Sequence, residues 1–158
     1  MKSARLGLLT VMLVLGSYAT INGAASASSK TEKTVMWMTV GEQRFAITLA
    51  DNAATRAFVT LLPLTLEMND LNHNEKYAPL PQALPAKANR PGTISNGDLM
   101  LYGPDTLVVF YTNFNSTYAY TRLGQVDDTA KLAQALGRRG VQVTFSKKLI
   151  TPHRQDSQ

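Results

Sequence analysis

The sequence has no cysteine, and it has two histidines and one tryptophan in 158 residues. The absence of cysteine excludes thiol nucleophiles, disulfides, thiolate metal ligands and lipid attachment to a cysteine after export. The sequence also has no phosphate-binding glycine loop or nucleotide fingerprint, and with so few histidines most hydrolytic and redox mechanisms lack their residues. These absences favour a function without covalent chemistry, and we expect no cofactor.

The sequence also lacks a clustered basic stripe. Its formal charge is +5, but the cations are scattered, and the doublets are Arg138-Arg139 and Lys147-Lys148. Proteins that bind nucleic acid concentrate their cations on one surface, interleaved with stacking aromatic rings. We therefore expect that the protein does not bind nucleic acid.

The first 27 residues have the features of a secretory signal peptide. Lys2 and Arg5 form a basic start, Leu6 to Leu15 form an apolar run, and Ala25-Ser26-Ala27 is a small-residue cleavage pattern. We predict cleavage after Ala27, a periplasmic or secreted location, and no membrane attachment afterwards. An uncleaved membrane anchor is the alternative. Cleavage removes two cations and lowers the formal charge from +5 to +3.

The rest of the chain has the length of one domain. Residues 28–34 are polar and read as a leader, residues 35–147 as the folded domain, and residues 148–158 as a loose polar tail. No internal repeat or low-complexity tract divides the domain. The sequence does not predict an oligomeric state.

Short apolar runs between turn-forming residues predict a mainly β domain of seven or eight strands. Residues 99–102, 106–112 and 118–126 predict neighbouring antiparallel strands, the first two joined by a turn at Gly103-Pro104-Asp105. Residues 141–145 alternate between apolar and other side chains and predict a closing strand.

Two helices are predicted between the strands. The first covers residues 53–62, with Asp51 or Asn52 as its N-cap, and it is stopped by a proline. The second covers residues 127–136, with two aspartates at its start and a glycine at its end.

Residues 69–90 predict a long irregular loop, because the segment is polar at first and then contains three prolines. Asp70, His73 and Glu75 are its one metal-like grouping. Their spacing matches no closed ligand set, so we expect a solvated loop without a metal.

The order of motifs in the second half resembles the cyclophilins, and more closely the bacterial cyclophilin-like proteins. The resemblance depends on Pro91 to Tyr102 (PGTISNGDLMLY), on Val109 to Thr112 (VFYT), and on Tyr120 to Asp127 (YTRLGQVD) before a helix. It spans roughly residues 36–146. It implies a closed, mostly antiparallel β-barrel with two helices that close its ends.

The resemblance also implies a test for enzyme activity. Cyclophilins accelerate prolyl isomerisation with an arginine beside an apolar pocket, on the strand that follows the first helix. Residues 64–70, the matching strand, contain no arginine, and Val108 and Val109 replace a glutamine and a phenylalanine of the pocket. Arg122 and Arg44 are the weak candidates for a substitute donor, and we favour surface positions for both, with their stems covering apolar surface. The sequence does not decide whether the protein is an enzyme. It favours no activity, and prolyl isomerisation is the one that the resemblance implies.

A ligand site is predicted from aromatic residues in or beside loops, because flat rings offer large contact areas at low entropic cost. The candidate ligand-binding residues are Tyr77, Phe114, Tyr118, Tyr120 and Glu67, although an outward-facing Glu67 is the favoured alternative.

The leading functional hypothesis is an exported binding module for a peptide segment or a small apolar ligand. Its groove would be bounded by residues 69–90 and 114–120. A weak prolyl isomerase and an accessory partner of another exported protein are the alternatives, since a fold alone does not determine function.

Overall fold

The computed structural model describes residues 35–147. The predicted signal peptide (1–27), polar leader (28–34) and polar tail (148–158) lie outside the described residues. Within residues 35–147, neither helix has the length and apolar character that a membrane crossing requires.

The described residues form ten strands and two helices. In chain order these are β1 (Val35–Val40), β2 (Gln43–Leu49), α1 (Ala53–Thr60), β3 (Leu64–Leu71), β4 (Glu75–Pro79), β5 (Gly92–Ile94), β6 (Asp98–Tyr102), β7 (Thr106–Phe110), β8 (Phe114–Ser116), β9 (Thr121–Val126), α2 (Leu132–Leu136) and β10 (Val141–Lys147). Eight strands close a barrel in the order β1-β10-β3-β4-β7-β6-β9-β2, and β5 pairs with β8 in a separate two-stranded sheet. The predicted closed antiparallel barrel with two helices is confirmed.

Alternation of side chains along the strands places the core inside the barrel. On β1, Met36 and Met38 point inward and are almost completely buried, as is Phe145 on the neighbouring β10. Phe58 of α1 packs edge-on against Phe145, with 5.8 Å between the ring centres. The first helix therefore contributes its apolar face to the barrel core, and Leu132 of α2 is buried in the same core.

The first helix begins as the sequence predicts. The side chain of Asn52 accepts a hydrogen bond from the Thr55 amide at 2.9 Å and is the N-cap. Asp51 instead pairs with Arg56 on the surface at 2.6 Å. The structure therefore selects Asn52 from the two predicted caps.

The predicted start of the second helix is wrong. α2 begins at Leu132, because the two aspartates make other contacts: Asp127 accepts a hydrogen bond from the Thr48 hydroxyl at 2.6 Å, and Asp128 accepts one from the Ala130 amide at 3.0 Å. They stabilise the turn before the helix and its contact with β2. The helix ends at Gly137, as predicted.

The predicted irregular loop over residues 69–90 is also wrong in its first half. β3 continues to Leu71, and β4 pairs with both β3 and β7. Asn72, His73 and Asn74 make the intervening turn, and the first two have φ angles of 52° and 55°. Asparagine and histidine tolerate this left-handed region better than most residues, so a polar pair can join two barrel strands tightly.

The third predicted strand of the second half begins at Thr121 rather than 118.

Candidate ligand-binding site

A cavity of about 700 Å³ lies on the outer face of the barrel, beside β8. On β7, Leu107 and Val109 belong to the barrel core, so Val108 between them faces outward and lines the cavity. Tyr77 of β4 and Tyr102 of β6 lie on the same outer face and also line it. The opposite wall includes the whole of β8 and the residues that follow it.

A second, smaller apolar cluster supports this wall. It contains Ile94, Met100, Val108, Phe110 and Tyr120, with Tyr77 and Phe114 packed against it. The ring of Phe110 lies 5.5 Å from that of Phe114 and 5.4 Å from that of Tyr120. Aromatic pairs at these separations restrict each other's orientation. The cluster therefore holds β8 and Tyr120 against the barrel and keeps the cavity walls in place.

The rim of the cavity is unusually apolar for a protein surface. Within residues 35–147, the large apolar side chains that remain exposed are Leu71 (44%), Tyr102 (47%) and Tyr118 (62%), and all three line the cavity. The rings of Tyr102 and Tyr118 meet edge-on at 6.2 Å. Exposed apolar groups that cluster around a concavity mark binding surfaces, whereas single exposed ones are ordinary.

The polar groups of the cavity come mainly from two parts of the chain. Glu75 and Asn74 lie where β4 begins, whereas Asn115, Ser116 and Thr117 lie on and after β8. Burial of the Glu75 carboxyl raises its pKa, and the negative charge of Asp70 raises it further. The Oδ1 atom of Asn74 is buried and accepts no hydrogen bond from any described residue.

A buried charge cluster lies on the inner side of β4, behind the cavity wall. The side chain of Lys76 has no exposed surface, and its ammonium donates to Asp70 Oδ1 at 2.6 Å and to the Arg139 carbonyl at 2.7 Å. The Tyr111 hydroxyl donates to the same Asp70 oxygen. Burial by itself raises the pKa of Asp70, but the hydrogen bonds from Lys76 and Tyr111 outweigh it and lower the pKa to about 2.

The metal-like grouping of Asp70, His73 and Glu75 is divided between this cluster and the cavity. Asp70 Oδ2 lies 3.0 Å from His73 Nδ1, while Asp70 Oδ1 is taken by Lys76, so the carboxylate is already surrounded by donors. Glu75 lies on the other face of β4, toward the cavity. Residues 35–147 contain no group of three side chains placed to hold a metal ion.

The structure brings four of the five candidate ligand-binding residues to one cavity. Tyr77, Phe114, Tyr118 and Tyr120 all line it, although their role in binding stays a prediction. Glu67 does not line it. This residue points outward from β3 and accepts a hydrogen bond from Gln142 Nε2 at 2.7 Å.

Eleven of the fifteen lining residues are not among the candidate ligand-binding residues, including Leu71, Tyr102 and Glu75. Tyr102 carried a signal, because it follows the inward-facing Leu101 and immediately precedes a turn, so alternation points its ring outward. Leu71 and Glu75 pair with each other across β3 and β4. The sequence does not reveal their shared face, because residues 69–90 predict an irregular loop in place of β4.

The two candidate arginines lie outside the cavity. Arg122 Nη1 donates to the fully buried Asp98 at 3.1 Å, and the Arg44 guanidinium lies 4.6 Å from the centre of the Trp37 ring. The first contact is a charge-assisted hydrogen bond and the second is a cation–π contact. Among the described lining residues there is no arginine.

Comparison with known proteins supports the fold. A family model described as "Cyclophilin-like family" matches residues 38–146. The chain is similar to the hypothetical protein AF2241 from Archaeoglobus fulgidus, a solution structure, with 14% identity and a TM-score of 0.53 over 73% of this chain and 95% of that one. No curated protein matches the chain. At this identity, the structural likeness concerns the fold alone.

Proposed function

We propose that this chain, which belongs to the cyclophilin-like family, is an exported binding module that accepts a peptide segment or a small molecule in the cavity beside β8. The observation that carries the proposal is that Leu71, Tyr102 and Tyr118, the large apolar side chains exposed within residues 35–147, all line one cavity. The signal-peptide features of residues 1–27 support the exported, periplasmic or secreted location.

The size and lining of the cavity suit this role. Small-molecule sites in proteins typically measure about 300–1,000 Å³ and combine apolar and aromatic walls with a few polar groups. The cavity of about 700 Å³ is lined by aromatic rings together with amides, hydroxyls and one carboxyl. Such groups bind and orient a ligand without forming a bond to it.

Replacing Tyr118 with alanine is expected to leave the melting temperature nearly unchanged and to abolish stabilisation by a cavity ligand. The ring is 62% exposed, so its loss removes little packing. A ligand at about 100 times its dissociation constant stabilises a protein by about 2.7 kcal/mol. A thermal-shift screen of peptides and small molecules measures both effects.

Trp37→Ala is the matched control, because it removes an aromatic ring that does not line the cavity. This variant should keep the ligand-induced increase in melting temperature, whatever its own stability. If Tyr118→Ala kept the full increase, the proposed site would be wrong. If no ligand in a broad screen stabilised the wild type, the accessory-partner alternative would be favoured.

The rival function, prolyl isomerisation, is expected to be absent. The barrier to rotation is about 18–20 kcal/mol because of amide resonance, and catalysis needs a donor that weakens this resonance at the bound proline. Arg122 and Arg44 do not line the cavity and contact Asp98 and Trp37 instead. Uncatalysed conversion of a proline peptide takes roughly tens of seconds, so its relaxation in the presence of the protein tests the point. Acceleration that disappears in Arg122→Ala or Arg44→Ala would establish the rival.

A further inference from the structure

The charged side chains that line the cavity indicate which chemical class of ligand it binds. Among the described residues that line it, Glu75 is the one acidic side chain, and no lysine, arginine or histidine accompanies it. Glu75 forms no ion pair with any residue in the range 35–147. A partly buried carboxylate without a counter-charge costs free energy, which an approaching cation offsets.

The residues nearest to Glu75 do not supply that cation. Lys76 follows it directly, but its ammonium points to the other side of β4 and is bound by Asp70 and the Arg139 carbonyl. His73 lies against the second oxygen of Asp70. The charge of Asp70 itself acts against ionisation of Glu75 and raises its pKa together with burial. These neighbours therefore leave the Glu75 carboxyl without a paired cation.

Two further features of the lining favour the same kind of group. The buried Oδ1 atom of Asn74 has no hydrogen-bond donor among the described residues, and Asn74 lines the cavity next to Glu75. An ammonium group offers up to three N–H donors and no acceptor. The rings of Tyr77, Tyr102 and Tyr118 also line the cavity, and the π-faces of aromatic rings attract cations.

We propose that the occupant of this cavity is a small organic cation, a protonated amine on an apolar body, with the ammonium held by Glu75 and Asn74 and the body lying against Tyr102 and Tyr118. This inference rests on the proposed binding function and specifies its ligand class. Glu75 is then the residue that determines specificity for positive charge, whereas the tyrosines supply contact area.

The test compares three probes with the same body and different charge: 4-phenylbutylammonium, 4-phenylbutan-1-ol and 4-phenylbutyrate. Calorimetric titration of the full chain at pH 7 should give about tenfold tighter binding of the ammonium than of the alcohol, because a charge-assisted hydrogen bond is about twice as strong as a neutral one. The carboxylate probe should bind weakest, since it meets a like charge.

Glu75→Gln should reduce the preference for the ammonium over the alcohol to about one, with little change in the affinity of the alcohol. Glu67→Gln is the matched control. It makes the same substitution at an exposed glutamate of the adjacent strand outside the cavity, and it should keep the wild-type preference.

The possible failures are distinguishable. If the three probes bound equally well and Tyr118→Ala abolished their binding, the charge preference would be overturned and the binding function would stand. A preference for the ammonium that survived Glu75→Gln would also overturn the inference. If none of the three probes bound the wild type, the inference would be wrong, whereas the binding function would still be decided by the broad ligand screen.

Discussion

Replacing Lys76 with methionine is expected to lower the free energy of unfolding by about 3–5 kcal/mol, the usual cost of removing one partner from a buried ion pair. Lys76 has no exposed side-chain surface, and the side chain of Asp70 is only 10% exposed. Without the ammonium, the Asp70 carboxylate stays buried beside Tyr111 with its counter-charge gone, and the Arg139 carbonyl loses its donor. Urea unfolding followed by circular dichroism measures the loss.

Two further variants separate charge from packing. The double variant Asp70→Asn with Lys76→Met removes both charges and should be more stable than Lys76→Met alone, because no unpaired charge is left inside. Arg56→Met breaks the exposed pair with Asp51 and should leave the unfolding midpoint nearly unchanged. If Lys76→Met were no more destabilising than Arg56→Met, the buried pair would have no role in stability.

Acid is expected to destabilise the protein through Asp70 by about 2 kcal/mol, since one pKa unit corresponds to about 1.4 kcal/mol. The pKa of this carboxyl falls from its ordinary value of 3.8 to about 2 in the folded protein. A lowered pKa stabilises the folded state at pH values above the ordinary one. That contribution is therefore complete above pH 5 and is lost as the pH falls through 3.8 toward 2.

Urea unfolding at a series of pH values between 5 and 2 tests this expectation. Asp70→Asn should remove about 2 kcal/mol of the acid-induced loss. Asp51→Asn, which removes an exposed carboxyl, should keep the loss. Glu75 acts in the opposite direction, because its pKa is raised. An equal loss of stability in the wild type and Asp70→Asn would show that Asp70 is not the titrating group.

The charge cluster and the cavity both include residues of β4. A change in the stability of the cluster can therefore affect the ligand site. Lys76 fixes β4 from inside the barrel, while Glu75 and Tyr77 on either side of it face the cavity. Because successive residues of a strand point to opposite faces, the inward ion pair sets which residues of β4 face the ligand. We therefore expect changes in the cluster to disturb the cavity wall as well.

Local patterns in the sequence predicted most of the barrel. The Gly103-Pro104-Asp105 turn between two apolar runs predicted the β6–β7 hairpin, and alternation of Val141, Val143 and Phe145 predicted β10. The hairpin and the strand can be predicted because turn chemistry and side-chain period depend on neighbouring residues alone. Closure of the sheet was instead implied by the resemblance to the cyclophilins.

The strand β4 was not predicted because its place in the barrel depends on residues far away in the sequence. A lysine at an inward-facing strand position reads as solvated, and it is tolerated in the interior only because Asp70 and the Arg139 carbonyl, 63 residues away, receive its ammonium. No local pattern specifies such a partner. The start of α2 was missed for a similar reason, since Asp127 is bound by Thr48, 79 residues earlier in the chain.

The sequence by itself therefore determined the fold class and the supply of aromatic side chains, from which Tyr77, Phe114, Tyr118 and Tyr120 could be chosen. Only the tertiary structure decided that these rings meet at one cavity, that Glu75 joins them, and that Glu67, Arg44 and Arg122 do not. Periodicity tells which residues share a face of their own strand. The strand order and register that bring faces together depend on contacts between distant parts of the chain.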